Sequence, residues 1–223
     1  MKVYIIGANG NMGSRYSAIL KYLGHEVWGI DMPYIYLEGG LLTRMDCKES
    51  DAVIVATPTR THLDILEMLE GVEKPILCEK PFIDDEKHLP RLRHFLSNTK
   101  LKISMVSQYD WLSKDYQEDG YPTCYDYFKT GKDGLPWDCI NIIWNARDKI
   151  ILEDKNPIWF CKINGHALNL RDMDVAYCMM IEQWLKDPYV DKRDEILKRH
   201  QKVVDYLNGK FNDGSNRHTS TQQ

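Results

Sequence analysis

The beginning of the chain constrains its fold more than any other part. Residues 2–7 (KVYIIG) form a nearly continuous apolar run, which is typical of a strand buried on both faces of a parallel sheet. Three glycines spaced G-x-x-G-x-x-G follow at once, and residues 11–23 have the pattern of a helix. Residues 25–31 (HEVWGID) then predict a second strand. The chain therefore opens with a β-α-β unit whose first turn is rich in glycine.

The same alternation of strands and helices continues to residue 107. The predicted elements are a strand at 51–57, a helix at 61–69, a strand at 75–79, a helix at 84–97 and a strand at 101–107. Strands that alternate with helices predict the α/β class, here a Rossmann-type doubly wound parallel sheet. The interval between Asp31 and Asp51 is too short for the full helix and strand usual there, so we expect it to be abbreviated or irregular.

After residue 108 the sequence becomes richer in aromatic residues and less periodic. Short helices are predicted at 121–129 and 138–146, strands at 149–152 and 158–163, and longer helices at 172–185 and 193–207. Asn164-Gly165 predicts a two-residue hairpin turn, because both turn positions need positive φ. We predict a dinucleotide-binding domain at 1–108, a small α+β domain at 109–211 and a disordered polar tail at 212–223.

Composition excludes several classes of protein. Hydrophobic residues make up 43% and charged residues 28%, as in ordinary globular proteins. The 29 Lys and Arg against 33 Asp and Glu argue against a nucleic-acid binder, which would carry a basic surplus. No apolar run approaches the roughly 18 residues of a membrane span, and no signal peptide precedes the first strand, so we expect a soluble cytoplasmic protein. The six scattered cysteines lack zinc-ligand spacing and are interpreted as reduced core thiols, with no metal site.

The glycine-rich turn is the sharpest chemical signal in the sequence. Its candidate binding residues are Gly7, Asn9, Gly10, Asn11, Met12 and Gly13. Glycines let a backbone come close to a pyrophosphate, and the N–H groups at a helix N-terminus supply donors and a favourable dipole. An ordinary strand-to-helix turn is the alternative. The position between the first strand and the first helix favours dinucleotide binding.

Asp31 ends the second predicted strand, where a dinucleotide's adenosine ribose would be bound. Its carboxylate can accept hydrogen bonds from both ribose hydroxyls. A 2′-phosphate about 4 Å away would be repelled by about 4 kcal/mol at an effective dielectric of about 20, and no Arg follows soon enough to compensate. NAD is therefore predicted in preference to NADP. A solvated loop carboxylate is the alternative interpretation.

Two further motifs follow the next two strands: Ala56-Thr57-Pro58-Thr59-Arg60-Thr61-His62, and Lys74-Pro75-Ile76-Leu77-Cys78-Glu79-Lys80-Pro81. At these motifs the sequence resembles the glucose-fructose oxidoreductase and inositol dehydrogenase (Gfo/Idh/MocA) family of nicotinamide-dependent oxidoreductases. That family shows a strand ending in T-P, a nearby His that opens the next helix, and then a strand running into E-K-P. The resemblance covers residues 1–108.

The resemblance implies roles for individual residues. Thr57, Pro58 and Thr59 would line the cofactor cleft, and Glu79, Lys80 and Pro81 would lie beside the nicotinamide, with Lys80 the catalytic lysine. A partly buried lysine near a cationic ring can have its pKa lowered from about 10.4 towards 7–8, which suits proton transfer to or from a hydroxyl. A surface lysine in a turn fixed by Pro81 is the alternative. For His62, a packing or capping role is weighed equally against contact with the cofactor.

A weaker match begins at Tyr127, in a glycine-containing turn that leads to Asp138. Asp138 falls on the family's catalytic aspartate, but the family's histidine position holds Ile142 and its later acidic position holds Asn145. Ile142 can neither donate nor accept a proton. Tyr125, Tyr127 and His166 are candidate substitutes.

The sequence therefore predicts an NAD-dependent oxidoreductase, with Lys80 and Asp138 as catalytic residues. By resemblance, its small-molecule substrate would be like a sugar or polyol, with hydride transferred at a hydroxyl or carbonyl carbon. Residues 109–223 are too few for the family's usual substrate domain. A nucleotide-binding sensor or scaffold without catalysis is therefore the main alternative, and a reductase resembling dihydrodipicolinate reductase ranks last. A homodimer could form through the hairpin edge at 158–168. No nucleic-acid or membrane partner is expected.

Overall fold

The computed structural model describes residues 1–115, 124–128, 135–146, 149–153, 160–163 and 166–210, so the predicted polar tail lies outside the described residues. The chain divides into two compact units. The first consists of Met1–Val106 and Ile181–Leu197, and the second of Ser107–Met180 and Lys198–Gln223. The sequence analysis places the domain boundary at the single residue 108. The first unit also includes residues 181–197, which follow most of the second unit in the sequence.

The first unit is built on a five-stranded parallel sheet. Its strands are β1 (Lys2–Ile6), β2 (Glu26–Ile30), β3 (Ala52–Val55), β4 (Pro75–Cys78) and β5 (Lys102–Met105), in the spatial order β2-β1-β3-β4-β5. Every residue of β3 and β4 is buried, which explains their unbroken apolar sequences. The predicted Rossmann-type parallel sheet is confirmed.

Four α-helices connect these strands: α1 (Asn11–Tyr22), α2 (Leu41–Glu49), α3 (His62–Met68) and α4 (Leu89–Asn98). Short 3₁₀ helices precede α2, α3 and α4 at Tyr34–Gly40, Thr59–Thr61 and Glu86–His88. Between β2 and β3 the chain forms only a 3₁₀ helix and α2, so the expected abbreviation is confirmed. Because no strand is added there, β2 is the outer strand of the sheet, and none of its five residues is buried.

The second unit combines short helices with a small mixed sheet. The remaining elements of the chain are α5 (Gln108–Asp115), β6 (Cys124–Phe128), α6 (Leu135–Asp138), α7 (Ile140–Asn145), β7 (Lys149–Glu153), β8 (Phe160–Ile163), β9 (His166–Ala167), α8 (Leu170–Lys186) and α9 (Arg193–Leu207). The sheet order is β7-β6-β8-β9. Ile163 pairs with His166 in antiparallel β8 and β9, which confirms the predicted hairpin, although its turn residues lie outside the described ranges.

One predicted element is wrong. The sequence analysis places a short helix at 121–129, but Cys124–Phe128 forms strand β6. This strand pairs with β7 on one side and β8 on the other, so it is central in its sheet. Three of its five residues are aromatic, and aromatic side chains favour strands once neighbouring strands provide a surface to pack against. That surface is formed by residues distant in sequence, so the local pattern does not reveal it.

A network of buried polar side chains holds the helices of the second unit together. Arg199 of α9 is 2% exposed, and its Nη2 donates to Asp110 Oδ2 at 2.6 Å while its Nη1 donates to Asn141 Oδ1 at 2.8 Å. Asn145 Nδ2 donates to the other oxygen of the same Asp110 carboxylate at 2.7 Å. The guanidinium carbon also lies 5.0 Å from the centroid of the Trp144 ring. These contacts satisfy a buried charge, which would otherwise be costly.

The cysteines and the helices agree with a globular core. Cys47, Cys78, Cys139 and Cys161 are buried thiols. Burial raises the pKa of Cys47 to about 12, with a smaller contribution from Asp46, so this thiol is held in its unreactive form. None of the described helices is long and apolar enough to cross a membrane.

Candidate functional site

The motifs singled out in the first half of the sequence meet at one edge of the parallel sheet. Gly7 follows β1, Asp31 follows β2, Thr57 follows β3 and Glu79 follows β4. Backbone hydrogen bonds continue the register past the strand ends, with Gly7 N–H donating to Ile30 at 2.8 Å and Glu79 N–H donating to Val55 at 2.8 Å. In open α/β sheets, ligands bind outside this carboxyl edge. The structure therefore brings the predicted cofactor-binding segments of the first unit together where a ligand is expected.

Two glycines of the first turn are required by the protein itself. Gly7 has a φ of +92°, and a Cβ there would lie 2.8 Å from the carbonyl carbon of Ala56. A Cβ on Gly13 would lie 2.0 Å from the carbonyl oxygen of Gly7, because α1 starts directly against the loop. The close approach of β1, β3 and α1 thus explains these two glycines without any ligand.

Gly10 differs from its two neighbours in the motif. Its φ of −70° is accessible to any residue, and a Cβ there would have 3.5 Å to its nearest neighbour, the Gly7 carbonyl oxygen. Gly10 is exposed, so the fold itself does not require a glycine at this position. No described side chain caps α1 and no acidic residue lies in its first turn, so its N-terminal N–H groups suit an anionic ligand. The loop fits the pyrophosphate of a dinucleotide.

Asp31 joins the end of β2 to the glycine loop. Its Oδ2 accepts the Asn9 backbone N–H at 2.7 Å, and its Oδ1 accepts the Met32 N–H at 2.8 Å. A carboxylate offers about four acceptor sites, so two N–H groups leave capacity for two ribose hydroxyls. The predicted ribose-binding residue therefore also fixes the loop that would hold the pyrophosphate.

His62 is buried between two turns of the site. It is 1% exposed, with Nδ1 2.7 Å from the Pro81 carbonyl oxygen and Nε2 2.6 Å from the Thr57 carbonyl oxygen. Burial lowers the pKa of His62, and the two carbonyls and the charges of Glu79 and Asp84 partly offset that effect. The ring therefore ties the turn after β3 to the turn after β4. Contact with a cofactor, the other role considered from the sequence, stays a prediction.

Glu79 is held from two sides by the protein. Its side chain is 6% exposed, Oε1 accepts the hydroxyl of Tyr16 on α1, and Oε2 accepts the Lys80 backbone N–H at 3.0 Å. Lys80 itself is partly exposed and follows β4 at the carboxyl edge of the sheet. Sequence reasoning missed Tyr16. The available signal was its place one helical turn after Gly13, which puts an aromatic hydroxyl on the buried face of α1.

The predicted catalytic partner of Lys80 lies in the second unit. Asp138 is the last residue of α6 and is partly exposed, and the pairing of Asp138 with Lys80 stays a prediction. Ile142, at the family's histidine position, is completely buried in α7. Asn145, at the later acidic position, donates a hydrogen bond from Nδ2 to Asp110. Of the candidate substitutes, His166 begins β9 in an exposed position, whereas the side chains of Tyr125 and Tyr127 lie outside what the structure describes.

Metal ligands were not predicted. Within the described residues, no three His, Cys, Asp or Glu side chains come together as a possible metal site.

Sequence comparison identifies the relatives of this domain. Residues 40–106 match the GFO_IDH_MocA family model, described as an oxidoreductase family with an NAD-binding Rossmann fold. Over 106 residues the chain is 40% identical to inositol 2-dehydrogenase of Rhizobium meliloti strain 1021. The N-terminal part of the chain is therefore similar to the Gfo/Idh/MocA oxidoreductase family. The aligned region makes up 46% of this chain and 31% of that dehydrogenase, so the chain matches less than a third of its relative.

Solved structures of Gfo/Idh/MocA-like dehydrogenases share the fold at low identity. A probable dehydrogenase from Thermotoga maritima aligns with a TM-score of 0.71 at 12% identity, covering 94% of this chain and 96% of that one. A putative myo-inositol dehydrogenase from Sinorhizobium meliloti 1021 aligns at 0.65 and 14%, covering 94% and 97%. The WlbA dehydrogenase of Thermus thermophilus, solved with NAD and UDP-GlcNAcA, aligns at 0.60 and 13%, covering 92% and 94%. These likenesses establish the fold of the chain.

Proposed function

We propose that this chain is an NAD-dependent oxidoreductase of the Gfo/Idh/MocA type, which acts at a hydroxyl or carbonyl carbon of a small polar substrate. The observation that carries the proposal is the arrangement at the carboxyl edge of the sheet. Gly10, Asp31 and Lys80 follow three strands of one sheet, and the parallel register fixes which of these strands are neighbours. The family's description as NAD-binding supports the choice of cofactor class.

The residues that would hold NAD are those of the loop and the end of β2. The N-terminal N–H groups of α1 would donate to the pyrophosphate, which the absence of a side chain at Gly10 lets approach. Asp31 would accept the ribose hydroxyls while keeping its bond to Asn9. A 2′-phosphate about 4 Å away would be repelled by about 4 kcal/mol at an effective dielectric of about 20, so we propose NAD in preference to NADP.

The chemistry needs one hydride and one proton to move. Bound NAD would supply the hydride acceptor in oxidation and, in its reduced form, the hydride donor. Lys80 would take the substrate's hydroxyl proton on Nζ during oxidation, and would return a proton to the oxygen during reduction. Two contacts hold the turn that carries this lysine. The Lys80 backbone N–H donates to the Glu79 carboxylate, and the buried ring of His62 lies against the Pro81 carbonyl oxygen. A sugar or polyol derivative is the proposed substrate class, in keeping with the inositol 2-dehydrogenase relative.

A second candidate function follows from Ile142. This residue is fully buried where the family's catalytic histidine is expected, and its side chain has no proton to give. A protein that binds NAD but has lost turnover, and acts as a sensor or scaffold, would tolerate this substitution.

Calorimetry and a substrate panel test both candidates. NADH should bind more tightly than NADPH, and equal affinity for the two would contradict the NAD preference. Metabolites related to sugars and polyols are then screened for a change in nicotinamide absorbance. Turnover that is lost in Lys80→Ala supports the enzyme, whereas full activity of Lys80→Ala excludes the role of this lysine. Tight binding of NADH without turnover on any member of the panel would favour the sensor.

A further inference from the structure

A buried chain of contacts connects helix α1 to the turn that carries Lys80. Tyr16 is completely buried in α1, and its hydroxyl donates to Oε1 of Glu79, 63 positions further along the sequence. Glu79 is also buried. A carboxylate removed from water must find donors in the protein, so this hydroxyl satisfies one of its two oxygens.

The second oxygen of the carboxylate leads on to the lysine. Oε2 of Glu79 accepts the Lys80 backbone N–H at 3.0 Å. Donors on both oxygens fix the rotation of the carboxylate about its last bond, because turning it would break both hydrogen bonds together. Tyr16 therefore helps to fix the orientation of the Lys80 backbone, in addition to the residues next to Lys80 in the chain.

We propose that Tyr16 is a positioning residue for the reaction, acting through Glu79 on Lys80. Tyr16 lies one turn after the loop that would hold the pyrophosphate, so α1 connects the phosphate-binding end of the site to the lysine that transfers the proton. The effect of Tyr16 on catalysis rests on the proposed oxidoreductase function. Its effect on the position and reactivity of Lys80 can be measured without that function.

The sheet offers a matched control for this residue. Tyr4 in β1 is also buried, and its hydroxyl donates to Oδ2 of Asp46 at 2.7 Å. Asp46 lies in α2 and makes no described contact with Lys80. Tyr4→Phe and Tyr16→Phe each remove the hydroxyl of a buried tyrosine that is bonded to a carboxylate, but only Tyr16→Phe breaks the connection to Lys80. Because Asp46 is exposed whereas Glu79 is buried, the unfolding midpoint of both variants is measured alongside.

The test measures the reactivity of Lys80 in the full chain. Each variant is acylated at a series of pH values with an amine-reactive ester, and modification of Lys80 is followed by mass spectrometry with and without NADH. We expect Tyr16→Phe to change the Lys80 rate by at least about threefold, equivalent to about half a pKa unit, and Tyr4→Phe to leave it unchanged. NADH should alter the rate less in Tyr16→Phe than in the unchanged chain. Equal profiles for Tyr16→Phe and Tyr4→Phe would overturn the proposal.

A second variant covers a failure of Tyr16→Phe to fold. Glu79→Gln keeps the size of the side chain but replaces one acceptor oxygen with an amide nitrogen, which cannot accept a hydrogen bond, so it is expected to change the Lys80 rate as Tyr16→Phe does. A folded Glu79→Gln with the Lys80 profile of the unchanged chain would also count against the proposal. Failure of the proposed function gives a different result: the unchanged chain would then show no binding of NADH and no effect of NADH on Lys80, whatever the Tyr16 variants show without it.

Discussion

The imidazole of His62 and the carbonyl oxygen of Thr57 lie 2.6 Å apart in the interior of the first unit. The opposite ring nitrogen faces the Pro81 carbonyl at 2.7 Å. Carbonyl oxygens only accept hydrogen bonds, and a neutral imidazole carries one N–H, so the neutral ring donates to one of the two oxygens at a time. A proton added to His62 would satisfy both oxygens but would place a charge in a buried position. Burial is the larger effect, and it lowers the pKa of His62.

We therefore expect acid to weaken the first unit through His62. Its pKa in the folded chain is below the ordinary value of 6.5, so the unfolded chain binds more protons in the window below 6.5. The stabilisation from the neutral ring is complete above that value and is lost as the pH falls towards the folded pKa. Urea unfolding between about pH 7.5 and pH 5 should show this fall, and His62→Gln should show a smaller one. Equal pH slopes for the two proteins would contradict the interpretation.

Alanine substitutions at Gly10 and Gly13 should have different effects: the change at Gly13 should reduce stability, and the change at Gly10 should reduce NADH affinity. Gly13→Ala places a methyl group 2.0 Å from the Gly7 carbonyl oxygen and should destabilise the protein by about 3 kcal/mol, despite the better helix propensity of alanine. Gly10→Ala has room for the methyl group and should change stability by less than about 1 kcal/mol. It should nevertheless weaken NADH binding at least about tenfold, because the methyl group would keep the pyrophosphate from approaching the loop backbone.

Thermal unfolding and calorimetry on the same two variants separate these effects. If Gly10→Ala binds NADH as tightly as the unchanged chain, the pyrophosphate does not lie against this loop.

Removal of the Asp31 carboxylate should affect both the loop and the cofactor preference. Asp31→Ala loses the acceptor for the Asn9 N–H and the proposed acceptor for the ribose hydroxyls, so NADH affinity should fall at least about tenfold. Asp31→Asn keeps one carbonyl oxygen without the charge, so it should narrow the gap between NADH and NADPH. Titration calorimetry with both nucleotides measures these changes. An unchanged NADH affinity in Asp31→Ala would exclude a role for this residue in binding.

The buried guanidinium of Arg199 and its partner Asp110 should contribute strongly to the stability of the second unit. Asp110→Ala leaves the guanidinium of Arg199 in the interior without its carboxylate, which should cost about 3 kcal/mol. Asp191→Ala, in the first unit, is the control for the loss of a surface ion pair, because Asp191 pairs with Arg193 at the surface and such pairs contribute about 1 kcal/mol or less. Urea midpoints give the comparison. Similar midpoints for the two variants would show that the buried network does not stabilise the unit.

The first unit could be predicted from its sequence because its signals are local. A buried strand, a glycine turn and a helix start are each encoded within a dozen residues around Gly7, and the parallel register then determines that Gly7, Asp31, Thr57 and Glu79 meet at one edge. Contacts between distant residues could not be predicted in this way. The hydrogen bond from Tyr16 to Glu79 joins residues 63 positions apart, and strand β6 depends on neighbouring strands on both sides.

The spatial order of the first sheet has a consequence for how the chain can assemble during synthesis. β2 follows β1 and pairs on one side of it, β3 pairs on the other side, and β4 and β5 then extend the sheet outward one after another. No strand has to enter between two that are already paired, so the sheet can grow in the order in which the ribosome releases it. Residues 181–197 complete the same unit only after the whole of the mixed sheet has been made. A nascent chain that ends near residue 106 would therefore possess the sheet but lack the last helical segments of the unit.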